Sequence, residues 1–202
     1  MSPKPDVSEK RKKQIINAAQ KVFSELGFHE ARMSDIAEES GLSKGTLYLY
    51  FESKDEIILN LLDKLFETEL RALRKLIDQD ASAEDRVLQY TERVIDDMVS
   101  MQAWMPIAFE FISLAFHRET VQEVLRSYFQ EHMKTVKAIV AQGCQRGEFK
   151  DIDPEEAAIA LGAVLEGTPL LWVYDQKTVD IPSHIRSGVH LILNGLKSGT
   201  GE

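Results

Sequence analysis

Met33-Ser34-Asp35-Ile36-Ala37-Glu38-Glu39-Ser40-Gly41-Leu42-Ser43-Lys44-Gly45-Thr46-Leu47-Tyr48-Leu49-Tyr50-Phe51 is the stretch whose reading decides the fold. Ile36 and Ala37 share one side of a two-turn helix over 33–40. Gly41 follows where a helix ends on a left-handed residue, a conformation glycine adopts at little cost. Ser43 then offers a side-chain oxygen to the first amides of a second short helix reaching to about residue 50. Leu47 and Phe51, four apart, join Leu42 on the inner face, which leaves Lys44, Thr46, Tyr48 and Tyr50 pointing outward.

Outward from this pair the chain keeps the same helical habit. Upstream, a helix over 8–26 puts Ile15, Ala18, Ala19, Val22, Phe23 and Leu26 on one face, and Gly27 closes it. Downstream, Ser53-Lys54-Asp55-Glu56 is a capping box ahead of Ile57, Ile58, Leu61, Leu62, Leu65 and Phe66, so a long fourth helix begins there. Later starts are expected at Ser82 with Asp85, at Pro106, at Thr120 with Glu123, and at Asp153-Pro154, with Gly147 closing the helix before the last of these. Helices over 154–176 and 182–196 follow, then a polar tail over 197–202 that reads as disordered. The expectation is an all-α protein of about nine helices without internal repeats. Residues 1–53 would form a three-helix domain and 54–202 a larger helical one.

The 202 residues carry a net charge of −9, which taken whole disfavours a polyanionic partner. The distribution matters more. Residues 1–50 hold 8 Lys/Arg against 7 Asp/Glu, leaving 16 against 26 for the rest, and Lys10, Arg11, Lys12 and Lys13 are consecutive. The acid lies away from a locally positive N-terminal end. One cysteine, Cys144, excludes an internal disulfide framework. The basic N-terminus leads into an amphipathic stretch and not a signal peptide, so a cytoplasmic location is expected. The apolar segment over 162–174 is broken by Glu166 and Pro169 and is expected to fall short of a membrane span. Cys144, His117, His132, His184 and His190 show no nucleophile–base pairing and no metal-ligand spacing. Catalysis, a metal and a cofactor are therefore not expected.

Two short helices joined at a glycine turn form a helix-turn-helix, whose second helix enters the major groove while the first crosses the DNA backbone. Tyrosine and threonine hydroxyls beside a lysine suit phosphates and base edges, the threonine methyl suits thymine, and Gly45 permits close approach. Against this, Tyr48 and Tyr50 would simply pack on the fourth helix.

Asp35-Ile36-Ala37, Gly41 to Tyr48, then Phe51 and Ser53-Lys54, resemble the tetracycline-repressor (TetR) family of bacterial one-component regulators. The resemblance implies that Lys44, Gly45, Thr46 and Tyr48 face the groove, that Tyr50 replaces a phosphate-contacting histidine, and that Lys54 binds phosphate from the start of the fourth helix. It makes Ser43 and Ser34 lesser contacts. Where the family has Ser or Thr before its second helix, this chain has Ala31-Arg32, and either Arg32 supplies a phosphate contact or that helix starts elsewhere.

The same resemblance implies a homodimer that binds a palindromic DNA operator and is released, as a repressor, by a small effector within the larger domain. Methionines and aromatics in mid-chain suit an irregular apolar ligand. Leu62, Phe66, Met98, Met101, Trp104, Phe109, Phe129 and Trp172 are the candidate lining, with Glu166, and also Glu110, available to a cation or hydroxyl; each is equally explained as core or as helix surface. The candidate dimer interface is Ala158, Leu161, Gly162 and Leu165 of one helix with Ile185, Val189, Ile192 and Leu193 of the next.

Overall fold

The computed structural model describes residues 5–100 and 105–197, which contain nine helices and no strand. In chain order they are α1 (Pro5–Glu30), α2 (Met33–Ser40), α3 (Lys44–Tyr48), α4 (Lys54–Ile77), α5 (Ala83–Ser100), α6 (Met105–Ala115), α7 (Glu119–Gln145), α8 (Pro154–Tyr174) and α9 (Ile181–Leu196).

The helix boundaries follow local chemistry. Gly27 is left-handed (φ 76°, ψ 161°) and kinks α1, after which one further turn runs to Glu30. Gly41 (φ 66°, ψ 26°) caps α2 in the left-handed helical conformation, and Gly147, after α7, also has positive φ (72°). The Ser43 hydroxyl accepts the Thr46 N–H at 3.1 Å and caps α3. At α4, Ser53 accepts from the Glu56 N–H at 3.2 Å, while the Glu56 carboxylate reaches back to the Glu52 N–H at 2.6 Å. Asp153 and Asp180 cap α8 and α9 through the amides of Glu155 and Ser183, both at 2.9 Å. Helix α2 begins at Met33 as expected, without a side-chain cap from Arg32; Asp35 accepts the Arg32 N–H at 2.8 Å. Helix α1 begins at Pro5, ahead of the expected Ser8, and α7 begins one residue before Thr120.

The chain divides into two compact units. The first comprises Met1–Thr68 and Ala103–Arg126, the second Glu69–Gln102 and Ser127–Glu202. The break expected after residue 53 is thus not where the packing divides, because α4 runs on unbroken and residues of α6 join the first unit. Its core packs Ile15, Phe23, Phe28, Ile36, Leu47, Phe51, Ile57 and Phe111. Phe28 meets Phe23 and Phe111 edge to face at 5.4 and 5.6 Å. Each fully buried phenyl contributes about 1.5–3 kcal/mol of hydrophobic stabilisation, so this small unit is well anchored.

In the second unit α8 and α9 approach closely: a methyl group on Gly188 would lie 2.7 Å from Val164 Cγ1. Arg86 has no accessible surface and donates to the Ile77 carbonyl (2.9 Å) and to Gln142 Oε1 (2.6 Å). The tail is anchored at its first residue, where Lys197 pairs with Glu84 at 2.9 Å and the Lys150 N–H donates to the Leu196 carbonyl. Contrary to expectation, α8 is long and apolar enough to cross a membrane by length and composition. The physical reason is that Ala157 to Leu161 extend the apolar segment back from Gly162. Its buried side, Ala157, Ala158, Leu161, Gly162, Leu165, Thr168 and Pro169, packs within its own unit.

Candidate nucleic-acid interface and effector site

The first unit presents α3 to solvent. Ser43, Lys44, Gly45 and Tyr48 are exposed, Tyr48 at 52%. Thr46 is half-buried and its hydroxyl pairs with that of Ser43 at 2.8 Å, so both hydroxyls serve the cap. Ser34 is half-buried and Arg32 exposed. Tyr50 does not share the outward face: it packs against the core, as aromatic residues beside a helical core often do. Leu49, which the sequence reading left without a role, is instead 78% exposed, an apolar side chain beside Tyr48. The Gln14 amide donates to the Ser40 carbonyl at 2.6 Å. This ties the exposed Lys10, Arg11 and Lys13 to the edge that leads into α3.

Lys54 corrects the sequence reading. Its ammonium donates to the carbonyls of Phe28 (2.5 Å), His29 (2.9 Å) and Ala31 (3.0 Å) and lies 4.6 Å from the centre of the Phe28 ring. A lysine has three donors, and here all are taken, so the group closes the C-terminal end of α1 and has none left for phosphate. Burial, then the nearby Arg118 charge, holds its pKa below the usual lysine value. Glu110 is corrected in the same way: its carboxylate accepts the Phe28 N–H at 2.8 Å, next to the kink at Gly27. Arg118 pairs with Asp55 in the first turn of α4. The end of α1 is therefore held by α4 on its carbonyl side and by α6 on its amide side.

The second unit holds a cavity of about 10 Å³, room for little more than one water, walled by Leu73, Val87, Tyr90, Thr91, His132, Val136, Ile139, Leu161, Gly162, Leu165 and Val189. None of the candidate lining residues walls it. Leu62 and Phe66 belong to the core of the first unit, Phe129 is 54% exposed, and Met98, Phe109 and Trp172 are half-buried elsewhere. Met101 and Trp104 lie outside the described residues. Glu166 is exposed and does not line the cavity, though its charge is felt at Tyr90, which does. The polar members were missed because Tyr90 and His132 sit on ordinary amphipathic helices.

The candidate dimer residues are corrected as well. Ala158, Leu161, Gly162, Leu165, Ile185, Val189 and Leu193 are buried within their own unit and Ile192 is half-buried. The exposed apolar side chains of the two helices are others: Ile159, Leu170, Leu171, Val173 and Tyr174 on α8, and Leu191, at 74%, on α9. Helix α8 is apolar nearly all round, so periodicity alone had no means to choose its inner side.

A capped helix-turn-helix with an exposed second helix, followed by a larger helical unit, is the arrangement of a transcription regulator. The chain belongs to the TetR family. Residues 15–61 match the family model of bacterial regulatory proteins of the tetR family, and residues 83–193 match that of the BetI-type transcriptional repressor C-terminal domain. The fatty acid metabolism regulator protein of Bacillus subtilis is 25% identical over 198 residues, covering 94% of this chain and 98% of that one. In fold the chain is similar to a putative transcriptional regulator of Saccharomonospora viridis crystallised with choline (TM-score 0.83, 18% identity, 94% and 99% coverage). It is likewise similar to FadR of Bacillus subtilis in complex with stearoyl-CoA (TM-score 0.77, 22% identity, 91% and 98% coverage). The family regulates transcription and its members are not enzymes.

Proposed function

We propose that this chain is a homodimeric repressor, acting in the cytoplasm, that grips a palindromic operator with its first 53 or so residues. A small effector bound within residues 54–202 releases it. The observation that carries the reading is the outward face of α3: Lys44, Gly45 and Tyr48 stand exposed on a helix whose inner residue, Leu47, is fixed in the core. Exposed aromatic and apolar groups on so short a helix are poor solvent surface but suit a groove edged by thymine methyls. Lys10, Arg11 and Lys13 add phosphate contacts from the start of α1. In the dimer, the exposed apolar residues of α8 and α9 cover their counterparts, and the two recognition helices sit about 34–36 Å apart, one turn of DNA. Helix α4 contributes Lys54 to the first unit and Glu69 to the second. The choline and stearoyl-CoA bound by the two similar structures differ so widely that fold alone does not select an effector.

The reading is tested by selecting random duplex DNA with protein unfolded and refolded to remove carried ligand. Enrichment of one palindromic site supports it; no enrichment at low salt from refolded, helical dimer overturns it. Once an operator is known, Tyr48→Ala is expected to weaken specific binding about tenfold, or about 1.4 kcal/mol, with the dimer intact. Removing Lys10, Arg11 and Lys13 together should flatten the dependence of log affinity on log salt by about 0.9 for each phosphate no longer neutralised. Leu191→Asp, at the exposed centre of the α9 face, is expected to yield a folded monomer by light scattering; a dimer of unchanged mass would remove that face from the interface.

A further inference from the structure

Helix α2, the first half of the helix-turn-helix, starts without the side-chain cap that Ser43 gives α3, because arginine at position 32 has no acceptor to offer. Its placement then rests on the turn before it, residues 27–31. Gly27 (φ 76°, ψ 161°) breaks α1, and the turn beyond closes through the Ala31 N–H on the Gly27 carbonyl at 3.3 Å. A single helical turn is marginal by itself, since it fixes several dihedral angles for few hydrogen bonds.

Phe28 supplies what the turn lacks. Its N–H donates to Glu110 Oε2 at 2.8 Å, its carbonyl accepts Lys54 Nζ at 2.5 Å, and its ring meets Phe111 edge to face at 5.6 Å. Glu110 and Phe111 are neighbours on α6, so one helix holds both the backbone and the side chain of this residue. The other Glu110 oxygen, Oε1, lies 3.6 Å from where a methyl group on Gly27 would stand, which seats the carboxylate against the kink itself. Burial, then Arg118, lowers the Lys54 pKa, and the Glu110 charge opposes both. Helix α6 is in turn fixed within the first unit, by Phe111 and Leu114 in its core and by Arg118, which follows it and pairs with Asp55.

We propose that Glu110 is a positioning residue for DNA reading: its carboxylate sets the direction in which the chain leaves Gly27, and with it the register of α2 and α3. The inference rests on the regulator reading and deepens it, because a residue of the 103–126 segment then completes the DNA-binding unit. Without Glu110 the Phe28 amide loses its partner in a half-buried place, the last turn of α1 swings about the dihedral angles of Gly27, and α2 moves with it. The acceptor carries this role, not the charge. A carboxylate acting only through its charge would repel phosphate, and its removal would tighten binding and not weaken it.

Full-length Glu110→Ala, which removes the acceptor, and Glu110→Gln, which keeps a carbonyl oxygen for the amide, are compared with the parent on the operator enriched from random DNA. Titrations run well below each protein's melting temperature, where a purely stabilising role leaves affinity untouched. Glu110→Ala is expected to bind about tenfold more weakly with the parent's salt slope, and its Phe28 amide to exchange with deuterium about tenfold faster, the size of one lost buried partner. Glu110→Gln should stay within about twofold of the parent in both measurements. If Glu110→Ala does not fold, Glu110→Asp, one methylene too short to reach the amide, is read in its place. Parent affinity in the folded acceptor-less variant, equal losses in it and Glu110→Gln, or tighter binding overturns the proposal while the regulator reading stands. If the parent enriches no operator, that reading fails and this role fails with it.

Discussion

Arg86→Ala is expected to destabilise the protein by about 3 kcal/mol, lowering its melting temperature by about 6–12 °C for a chain of this size. Arg86 has no accessible surface, and its guanidinium donates to three groups, the Ile77 carbonyl at the end of α4, the Gln142 side chain on α7 and the Ser82 carbonyl ahead of α5. Alanine removes the charge, which by itself relieves a desolvation cost, but it also deletes the donors and the packed aliphatic stem. One terminal nitrogen, Nη2, has no partner among the described residues, so the arginine is not held by a complete set of hydrogen bonds. Ile77 and Gln142 are themselves half-buried, so water can reach them once the side chain is gone, which keeps the expected loss at the low end for a buried ion. Arg86→Met, which retains the stem, should lose about half as much. Thermal unfolding of both variants measures this. A melting temperature for Arg86→Ala close to that of the parent would show that the hydrogen bonds to Ile77 and Gln142 are replaced by water at no cost.

Much of the first unit was legible in the sequence, because its signals are local. Gly41 fixes the end of α2, Ser43 the start of α3, and the spacing of Ile36, Ala37, Leu47 and Phe51 fixes which faces turn inward. Short-range chemistry of this kind survives folding unchanged. Roles that depend on distant segments meeting did not show. Nothing near Lys54 in sequence tells that the last carbonyls of α1 arrive beside it, and nothing near Glu110 tells that the Phe28 amide does. In the second unit the expected α8 and α9 face was the buried one, because an apolar helix offers two equivalent sides and the choice is made by what packs on it. Glu166 was noticed because it interrupts an apolar run. Glu69, Tyr90 and His132 sit among other polar residues, and only their convergence from separate helices, where the Tyr90 hydroxyl meets both Glu69 and His132, distinguishes them.

The contrast between a phosphate contact and a helix clamp makes Lys54→Met the most informative substitution in the DNA-binding unit. If Lys54 contacts phosphate, methionine removes one released counterion. The salt dependence of operator binding then falls by about 0.9 in slope, and the free protein, relieved of a partly desolvated charge, melts no lower than before. The geometry predicts the opposite pattern. Three carbonyls at the end of α1 lose their donor, two of those bonds being partly buried, and the ring of Phe28 loses its cation. Hydrogen bonds to a charged donor are worth about 1.5–3 kcal/mol where solvent is excluded. Discounted for the water that reaches His29 and replaces part of the loss, the expected cost is about 2 kcal/mol, or about 4–8 °C in melting temperature. The salt slope stays where it was. Operator affinity falls nevertheless, because the turn from Phe28 to Ala31 leads directly into α2, and a loosened end of α1 lets the helix-turn-helix pair shift against the core that orients it. Arginine at this position restores charge but not the fit, since its planar fork does not reproduce three donors converging from one nitrogen. A stable Lys54→Met protein with a flatter salt slope would return Lys54 to the DNA-contact set; a destabilised one with the parent slope makes it the clamp that holds the recognition unit in register.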